Sequence, residues 1–355
     1  MLQLSFSQRV LRFNFPARTS RGALAEHVAW YLHLSHTSQP AVIGVGEAAP
    51  LAGLSPDFGP AFGPAVQQLC ARFNAAQFEH FSAAEASAFI GAEWPALVFA
   101  LETAVLDLAN GGRRQLYHNA FSEGQAALPI NGLVWMGDAA FMRQQIEQKL
   151  GAGYSCLKLK IGSLDFATEL ALLAEIRAVA GPTQLMLRVD ANGAFAPAEA
   201  LGKLEQLAAF GLHSIEQPIR PGQGAALAAL CRQSPIPIAL DEELIGVAAQ
   251  NQQAALLDEI QPAYIVLKPT LLGGHAATRH WITLAEARGM AWWMTSALES
   301  NVGLNAVAQL TGEYAVGDFA QGLGTGQLYH NNVAAPLHIA AGHLRYEPTG
   351  AWEQP

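Results

Sequence analysis

The chain has 355 residues, enough for two or three domains or for one large barrel with an attached domain. Hydrophobic residues make up 51% of it and charged residues 14%, a composition that excludes an intrinsically disordered protein. The 29 acidic and 20 basic side chains give a formal charge of −9, which argues against a broad nucleic-acid-binding surface.

The three cysteines, Cys70, Cys156 and Cys231, are widely separated and form neither a CxxC nor a Cys/His pattern. A structural zinc site and a disulfide framework are therefore not expected. Residues 1–20 lack the continuous apolar core of a signal peptide, and no stretch approaches the ~18 apolar residues of a membrane span. We expect a soluble cytoplasmic protein with no membrane or nucleic-acid partner.

Residues 1–125 have the mixed pattern of an α+β domain. Alternating apolar residues predict antiparallel strands at 11–15 and 28–34, before a Gly- and Pro-rich loop at 44–60. Helical spacing follows at 61–73 and 96–109, and strands followed by helices indicate the α+β class.

Between residues 126 and 329, strands alternate regularly with Ala-, Leu- and Glu-rich helical stretches. Strands are predicted at 130–136, 156–161, 185–189, 214–216, 236–240, 264–267 and 290–294, with an eighth at 317–326. Eight such units in about 200 residues suit a (β/α)₈ barrel. A doubly wound open sheet is the alternative, and the absence of a GxGxxG or Walker A loop argues against it.

The tail, residues 330–355, contains a short alternating stretch at 337–346. This stretch predicts a hairpin around Ala341 and Gly342. We expect the tail to return to the first domain.

Charged residues stand at the ends of the predicted barrel strands. Lys160, Asp190, Glu216, Asp241 and Lys268 follow one another at intervals of 30, 26, 25 and 27 residues. Each interval is one β/α unit, so each charge occupies the same place, the C-terminal end of a strand. In a barrel, that end carries the active site.

The three carboxylates, Asp190, Glu216 and Asp241, predict a metal site. Neighbouring strands lie about 4.8 Å apart, so carboxylates at one level on consecutive strands can converge on one cation. Without a cation they would repel one another strongly. Carboxylate ligands without His or Cys point to Mg²⁺, with Mn²⁺ as the alternative. The opposing interpretation, helix caps or surface ion pairs, suits one such residue better than three in register.

Lysines flank these acids. Lys158 and Lys160 are two residues apart on one strand and so face the same side. Two adjacent ammonium groups are expected to lower each other's pKa, which suits a lysine that abstracts a proton. Lys268, on the sixth predicted strand, would face this pair across the barrel. A salt bridge at the barrel rim is the alternative for any one of these lysines.

Several weaker candidates surround these groups. Arg188 and Asn192 share the face of Asp190 and would either contact substrate or orient the metal ligands. Ser296 and Ser300 would hold a substrate carboxylate or simply cap a helix. The backbone at Gly324, in a glycine-rich turn, would also line the pocket. Strand alternation favours Asp241 over Glu242 as the third metal ligand.

These motifs together resemble the enolase superfamily, in its muconate-lactonising subgroup, over nearly the whole chain. The resemblance is carried by Lys158-Leu159-Lys160, Asp190-Ala191-Asn192, Glu216-Gln217-Pro218, Asp241-Glu242-Glu243 and Lys268-Pro269. Within the superfamily, residues 46–55, 295–310 and 321–332 are similar to those of o-succinylbenzoate synthases. Residues 46–55 resemble the loop of the capping domain that covers the pocket.

The resemblance implies a modified (β/α)₇β barrel with an α+β capping domain. It also implies a Mg²⁺-dependent lyase of menaquinone biosynthesis that acts on a small dicarboxylate, 2-succinyl-6-hydroxy-2,4-cyclohexadiene-1-carboxylate, and forms 2-succinylbenzoate. A lysine base acting with Mg²⁺ on an enediolate is established chemistry of this superfamily. By resemblance, Lys160 is the base, Lys158 tunes it, and Lys268 stabilises the enediolate, while the three acids carry the metal.

Other functions remain open on the same residues. An N-acylamino-acid racemase, a dipeptide epimerase and a lactonising enzyme would each use the same acids and lysines. Epimerases of this type typically carry an Asp-x-Asp motif at the eighth strand, where this chain has Gly322 to Gly326. A non-catalytic barrel that serves as a binding module is the alternative of a different class. The oligomeric state is left open by the sequence.

Overall fold

A computed structural model of the chain describes residues 1–19 and 22–355. The chain begins with an antiparallel sheet of β1 (Leu2–Thr19), β2 (Gly22–His36) and β3 (Gln39–Ala48), in that order. The helices α1 (Phe62–Ala75), α2 (Ala86–Ile90) and α3 (Pro95–Ala109) follow. The two predicted strands lie within β1 and β2, and the two predicted helices correspond to α1 and α3.

The predicted loop at 44–60 begins too early, because β3 continues to Ala48. Gly44 and Gly46 are not turn glycines. A Cβ at Gly46 would lie 1.8 Å from the carbonyl oxygen of Ala100, so the missing side chains let β3 pack directly on α3. Glycine here indicates close approach of backbones and not the end of a strand.

A seven-stranded parallel sheet forms the barrel. Along the chain, the short strand β4 (Leu128–Pro129) precedes it. Its strands, hydrogen-bonded in sequence order, are β5 (Gly132–Val134), β6 (Cys156–Lys160), β7 (Met186–Asp190), β8 (Ser214–Glu216), β9 (Ile238–Leu240), β10 (Tyr264–Leu267) and β11 (Ala291–Met294). Each overlaps a predicted strand.

The predicted eighth strand at 317–326 is not a regular strand. The barrel closes there through single parallel bridges that pair Gln321 with Ile130 and Gly322 with Thr295. Glycine accounts for this, since a Cβ at Gly322 would lie 2.2 Å from Thr295 Oγ1, and glycine weakens a strand. The fold is therefore a modified (β/α)₇β barrel with an attached α+β unit, as predicted.

Helices surround the barrel and alternate with its strands. They are α4 (Ala139–Gly151), α5 (Phe166–Val179), α6 (Pro197–Ala208), α7 (Gly224–Gln233), α8 (Gln250–Ile260), α9 (Pro269–Leu272), α10 (Gly274–Glu286) and α11 (Asn301–Thr311), with 3₁₀ turns at Ala83–Glu85, Glu242–Leu244 and Thr325–Gln327. A large apolar core lies between these helices and the strands, and a second one lies between the first sheet and its helices. Within the described ranges, no helix is both long and apolar enough to cross a membrane.

The tail contains the predicted hairpin, formed by β12 (Leu337–Ala340) and β13 (His343–Tyr346). β13 pairs with β4, the strand that precedes the barrel in the chain. Glu353 forms an ion pair with Arg9 of β1 at 2.7 Å. The tail thus contacts both parts of the molecule. The division of the chain near residues 125 and 330 into domains stays a prediction.

The packing of β3 on α3 can be tested at Gly46. Gly46→Ala should lower the free energy of unfolding by roughly 3 kcal/mol, because the new methyl group has no space against the α3 backbone. Gly202→Ala is the control: Gly202 lies exposed within α6 with no neighbouring atom near a new Cβ, and alanine should stabilise that helix by up to about 1 kcal/mol. Urea denaturation measures both. Equal effects of the two substitutions would contradict this packing.

Candidate active site

The strand register places the charged residues at one level. Lys160 on β6 pairs with Asp190 on β7, and Asp190 pairs with Glu216 on β8. Asp241 follows β9 directly and Lys268 follows β10. All five therefore lie at the carboxyl ends of parallel strands, which meet at the mouth of the barrel.

The carboxylates of Asp190, Glu216 and Asp241 form a tight cluster. One oxygen of each lies within 4.8 Å of the others, and all three side chains are buried. Burial raises the pKa of Glu216 to about 7, against the lowering effect of Lys158. Burial acts in the same direction on Asp190, but Lys158 and Lys160 outweigh it and hold the pKa of Asp190 well below its ordinary value.

Lysines neutralise this cluster. Lys158 contacts Glu216 and lies 2.9 Å from Asp190, whose carboxylate also accepts a hydrogen bond from Lys160 at 2.6 Å. Lys268 donates to both oxygens of Asp241 at 2.6 Å. Three buried acids thus face three buried lysines, an arrangement in which each charge depends on its partners.

The two neighbouring lysines differ in their pKa. Burial lowers the pKa of Lys160, and the positive charges of Lys158 and Lys268 add to this effect against that of Asp190. Burial also disfavours the charged form of Lys158, but Asp190, Glu216 and Asp241 outweigh it and raise its pKa. The expected lowering by the neighbouring ammonium is present at Lys160, whereas at Lys158 the surrounding acids set the net direction.

The cluster fits a divalent cation. Its donors are all carboxylate oxygens, the ligand type that Mg²⁺ and Mn²⁺ prefer. Glu216 Oε1 is buried and has no hydrogen-bond partner among the described residues. A buried carboxylate oxygen without a partner is costly, and a cation at this position would satisfy it.

A cavity opens directly above the lysines, between the barrel mouth and the first sheet. Its wall is mostly apolar and comes from distant parts of the chain: Leu51, Leu54, Asn131, Leu133, Trp135, Thr295, Ser296, Ala297, Leu298, Gly322, Gly324 and Thr325, with Lys158, Lys160 and Lys268 at the bottom. Lys160 and Lys268 face this space from opposite sides, because three strands separate β6 from β10. A small molecule in the cavity would lie between them.

Two of the weaker candidates line this cavity, namely Ser296 and Gly324. The Ser296 hydroxyl donates to Glu299 at 2.5 Å and accepts from Thr325 at 2.7 Å, so its proton is already engaged. Asn192 accepts a hydrogen bond from Lys160 at 2.9 Å and therefore orients that lysine.

Arg188 and Ser300 lie elsewhere. Arg188 is completely buried in the barrel interior, where its guanidinium lies over Trp293 at 4.2 Å and Phe319 at 4.7 Å and donates to the Ala320 carbonyl. Ser300 is the N-cap of α11 and donates to Glu47. Neither lines the cavity, and Ser300 has the helix-capping role that was the alternative to a substrate contact.

Glu242 lies outside the carboxylate cluster. It accepts a hydrogen bond from the Asn192 side chain at 2.9 Å. The side chain of Gln217 holds the residues on either side of Glu242. Its Oε1 accepts from the backbone N–H groups of Asp241 and Glu243, each at 3.2 Å. This amide fixes the turn after β9 that carries Asp241.

Sequence reasoning overlooked the cavity wall supplied by Asn131 and Trp135, which carry no local pattern. It also passed over Glu47 and Glu299, two fully buried acids beside the cavity wall. The similarity of residues 46–55 to a pocket-covering loop was the available signal for Glu47.

Comparisons with known proteins agree with this geometry. The family model described as enolase C-terminal domain-like matches residues 141–350. An o-succinylbenzoate synthase from Desulfotalea psychrophila is 46% identical, over 97% of this chain and 98% of the relative. The chain therefore belongs to the enolase superfamily, as its motifs predicted, within the muconate-lactonising group.

Solved structures give the same result. The crystal structure of MenC from Desulfotalea psychrophila has a TM-score of 0.85 and 43% sequence identity, covering 97% of this chain and 99% of that one. The L-Ala-D/L-Glu epimerase from Bacillus subtilis has a TM-score of 0.81 over 97% of this chain and 96% of that one, at 20% identity. The latter likeness shows the fold alone.

Proposed function

We propose that the chain is an o-succinylbenzoate synthase, a lyase that dehydrates 2-succinyl-6-hydroxy-2,4-cyclohexadiene-1-carboxylate to 2-succinylbenzoate in menaquinone biosynthesis. The observation that carries the proposal is the carboxylate cluster between Lys160 and Lys268 at the bottom of a covered cavity. The relative of that name, 46% identical over 97% of the chain, supports it.

Asp190, Glu216 and Asp241 are the proposed metal ligands, and Mg²⁺ is the proposed metal, with Mn²⁺ fitting the same donors. When bound, the cation would stabilise the negative charge that develops on the substrate carboxylate. Glu216 Oε1, buried without a partner among the described residues, supports this assignment. With the cation present, Lys158 would share the acids with it and neutralise the remaining negative charge.

The proposed chemistry needs a base beside the substrate carboxylate. Lys160, as the neutral amine that its lowered pKa favours, takes the proton from the carbon next to that carboxylate, and the electron pair moves into the carboxylate to give an enediolate. Asn192 and Asp190, both hydrogen-bonded to Lys160, hold its amine toward the cavity. General-base catalysis of this kind contributes about 10²–10⁴-fold.

Lys268 acts from the opposite side of the cavity. Its ammonium group stabilises the extra negative charge of the enediolate, which a buried site makes more effective. The C–O bond of the 6-hydroxyl group then breaks as the electron pair returns to the ring. The protonated Lys160 supplies the proton, and the hydroxyl leaves as water. The product ring is aromatic, which drives this second step.

A racemase or epimerase would use the same lysines and acids. The cavity wall favours the dehydratase. Residues 321–326, where the barrel closes, contribute Gly322, Gly324 and Thr325 to this wall and no carboxylate. An acid there would hold a dipeptide ammonium and repel a dianionic substrate. The complete set of acids and lysines argues against a non-catalytic binding module.

Substrate preference tests the proposal. We expect kcat/KM for dehydration of the succinyl cyclohexadiene carboxylate to exceed that for racemisation of N-succinylamino acids and of dipeptides by at least about tenfold, about 1.4 kcal/mol in transition-state binding. Purified enzyme at saturating Mg²⁺ gives all three values. A dipeptide or an N-succinylamino acid that is used tenfold better would overturn the assignment and leave only the superfamily.

Metal binding gives a second test. Glu216→Gln should weaken Mg²⁺ binding at least about 100-fold, because it removes a ligand charge and leaves an amide N–H₂ facing the cation. Glu242→Gln changes charge equally but lies outside the cluster, and should bind Mg²⁺ like the unchanged protein. Calorimetric titration measures both affinities, and circular dichroism verifies the fold. Equal losses in the two variants would show that the ligands are misassigned.

A further inference from the structure

Glu47 is a buried acid that the proposed chemistry does not use. It lies near the end of β3, is completely buried, and belongs to the first sheet and not to the barrel. Its carboxylate nevertheless reaches the barrel helix α11. Oε1 accepts a hydrogen bond from the Ser300 backbone N–H at 2.7 Å, and Oε2 accepts from the Ser300 hydroxyl at 2.5 Å.

The contact continues into the first turn of α11. Oε2 also accepts from the Gly303 backbone N–H at 2.7 Å. A Cβ at Gly303 would lie 2.6 Å from the Glu299 side chain and 3.1 Å from Oε2 of Glu47, so glycine leaves room for both acids beside the helix. Three donors thus converge on one buried side chain from the other part of the molecule, and charged acceptors make the stronger hydrogen bonds.

Glu47 lies between two walls of the cavity. Two residues after it, the capping loop (residues 49–55) begins, and this loop supplies Leu51 and Leu54 to the cavity. Its partner Ser300 ends the second wall, the 296–300 segment, from which Ser296, Ala297 and Leu298 face the same cavity. Glu47 therefore connects the two walls directly.

The 296–300 segment has a conformation that must be held in place. Leu298 has φ of 70°, a left-handed conformation that is uncommon and strained for a leucine. Its carbonyl accepts a hydrogen bond from Tyr329 at 2.6 Å, and Glu47 fixes Ser300 two residues later. Glu299 also accepts from the Ala297 N–H, and the Asn301 N–H donates to Asn332, so the segment has several anchors. Glu47 is the anchor that joins it to β3.

We propose that Glu47 is a positioning residue that sets the substrate cavity, by tying the capping loop to the 296–300 segment. The inference rests on the proposed dehydratase function and adds a determinant of substrate affinity to it. Glu47 does not contact the lysines or the carboxylate cluster. Its loss should therefore weaken substrate binding far more than it slows the chemistry.

Glu102 provides a matched control. This buried acid on α3 likewise reaches the start of a barrel helix, where it accepts from the backbone N–H groups of His275 and Ala276 in α10. Burial raises the pKa of both Glu47 and Glu102 to about 7. Neither Glu102 nor its partners line the cavity. Comparing Glu47 with Glu102 therefore distinguishes an effect on the cavity from a general loss of packing between the first sheet, with its helices, and the barrel.

The experiment compares Glu47→Gln with Glu102→Gln. A glutamine at position 47 cannot accept from all three donors, because its N–H₂ group faces a donor. We expect Glu47→Gln to raise KM at least about tenfold, the effect of losing a charged hydrogen bond, with a much smaller change in kcat. Glu102→Gln should lower the melting temperature but leave KM near that of the unchanged enzyme.

Hydrogen–deuterium exchange gives a readout that does not depend on activity. Glu47→Gln should speed amide exchange in both the capping loop and the 296–300 segment, whereas Glu102→Gln should speed it only near 274–277. If the unchanged enzyme fails to dehydrate the substrate, the proposed function is wrong. The exchange data still test whether Glu47 connects the capping loop to the 296–300 segment. Exchange that rises in only one of the two walls, or an unchanged KM in an active Glu47→Gln enzyme, overturns the inference.

Ser300→Ala provides a second variant that tests the proposal if Glu47→Gln does not fold. It removes the hydroxyl donor to Glu47 but leaves both backbone donors. We expect a smaller rise in KM than for Glu47→Gln, with faster exchange in the same two walls. An unchanged KM and unchanged exchange in Ser300→Ala would also overturn the proposal.

Discussion

The structure depends on burying three negative and three positive side chains together at the mouth of the barrel. Asp190, Glu216 and Asp241 would repel one another without Lys158, Lys160 and Lys268, and isolated buried charges are very costly. The parallel register imposes this meeting, because five consecutive β/α units each deliver one charge at the same level and β6 adds Lys158. The same constraint fits a divalent cation, which would share the acids with the lysines.

The barrel supplies the charges, and the first sheet helps to enclose the space above them. Leu51 and Leu54 reach over the lysines from the capping loop, whose strand β3 packs on α3 through Gly44 and Gly46. Glu47 then joins this sheet to α11. A reaction that builds up negative charge beside a carboxylate benefits from such a mostly apolar cavity, since electrostatic interactions are stronger where less water is present.

Much of the barrel and the positions of its charges could be predicted from the sequence, because the period of one β/α unit repeats along it. The eighth strand failed, since Gly322 is needed for close contact with Thr295 and supports no regular strand. The burial of Arg188 against Trp293 and Phe319 could not be read from the sequence, because these residues lie more than 100 positions away in the chain. The helix cap at Ser300 was one of its two expected roles, but its contact with Glu47, 253 residues away in the chain, leaves no local pattern.

The central claim is that the proton moves to Lys160, and Lys160→Ala tests it most directly. Dehydration is measured at saturating Mg²⁺, with Lys203→Ala, on the outer helix α6, as the control for loss of a lysine. The account predicts that Lys160→Ala loses at least about 10²–10⁴-fold in kcat, the usual contribution of a general base, while Lys203→Ala stays near the unchanged enzyme. A correctly folded Lys160→Ala enzyme with near-normal turnover would contradict it.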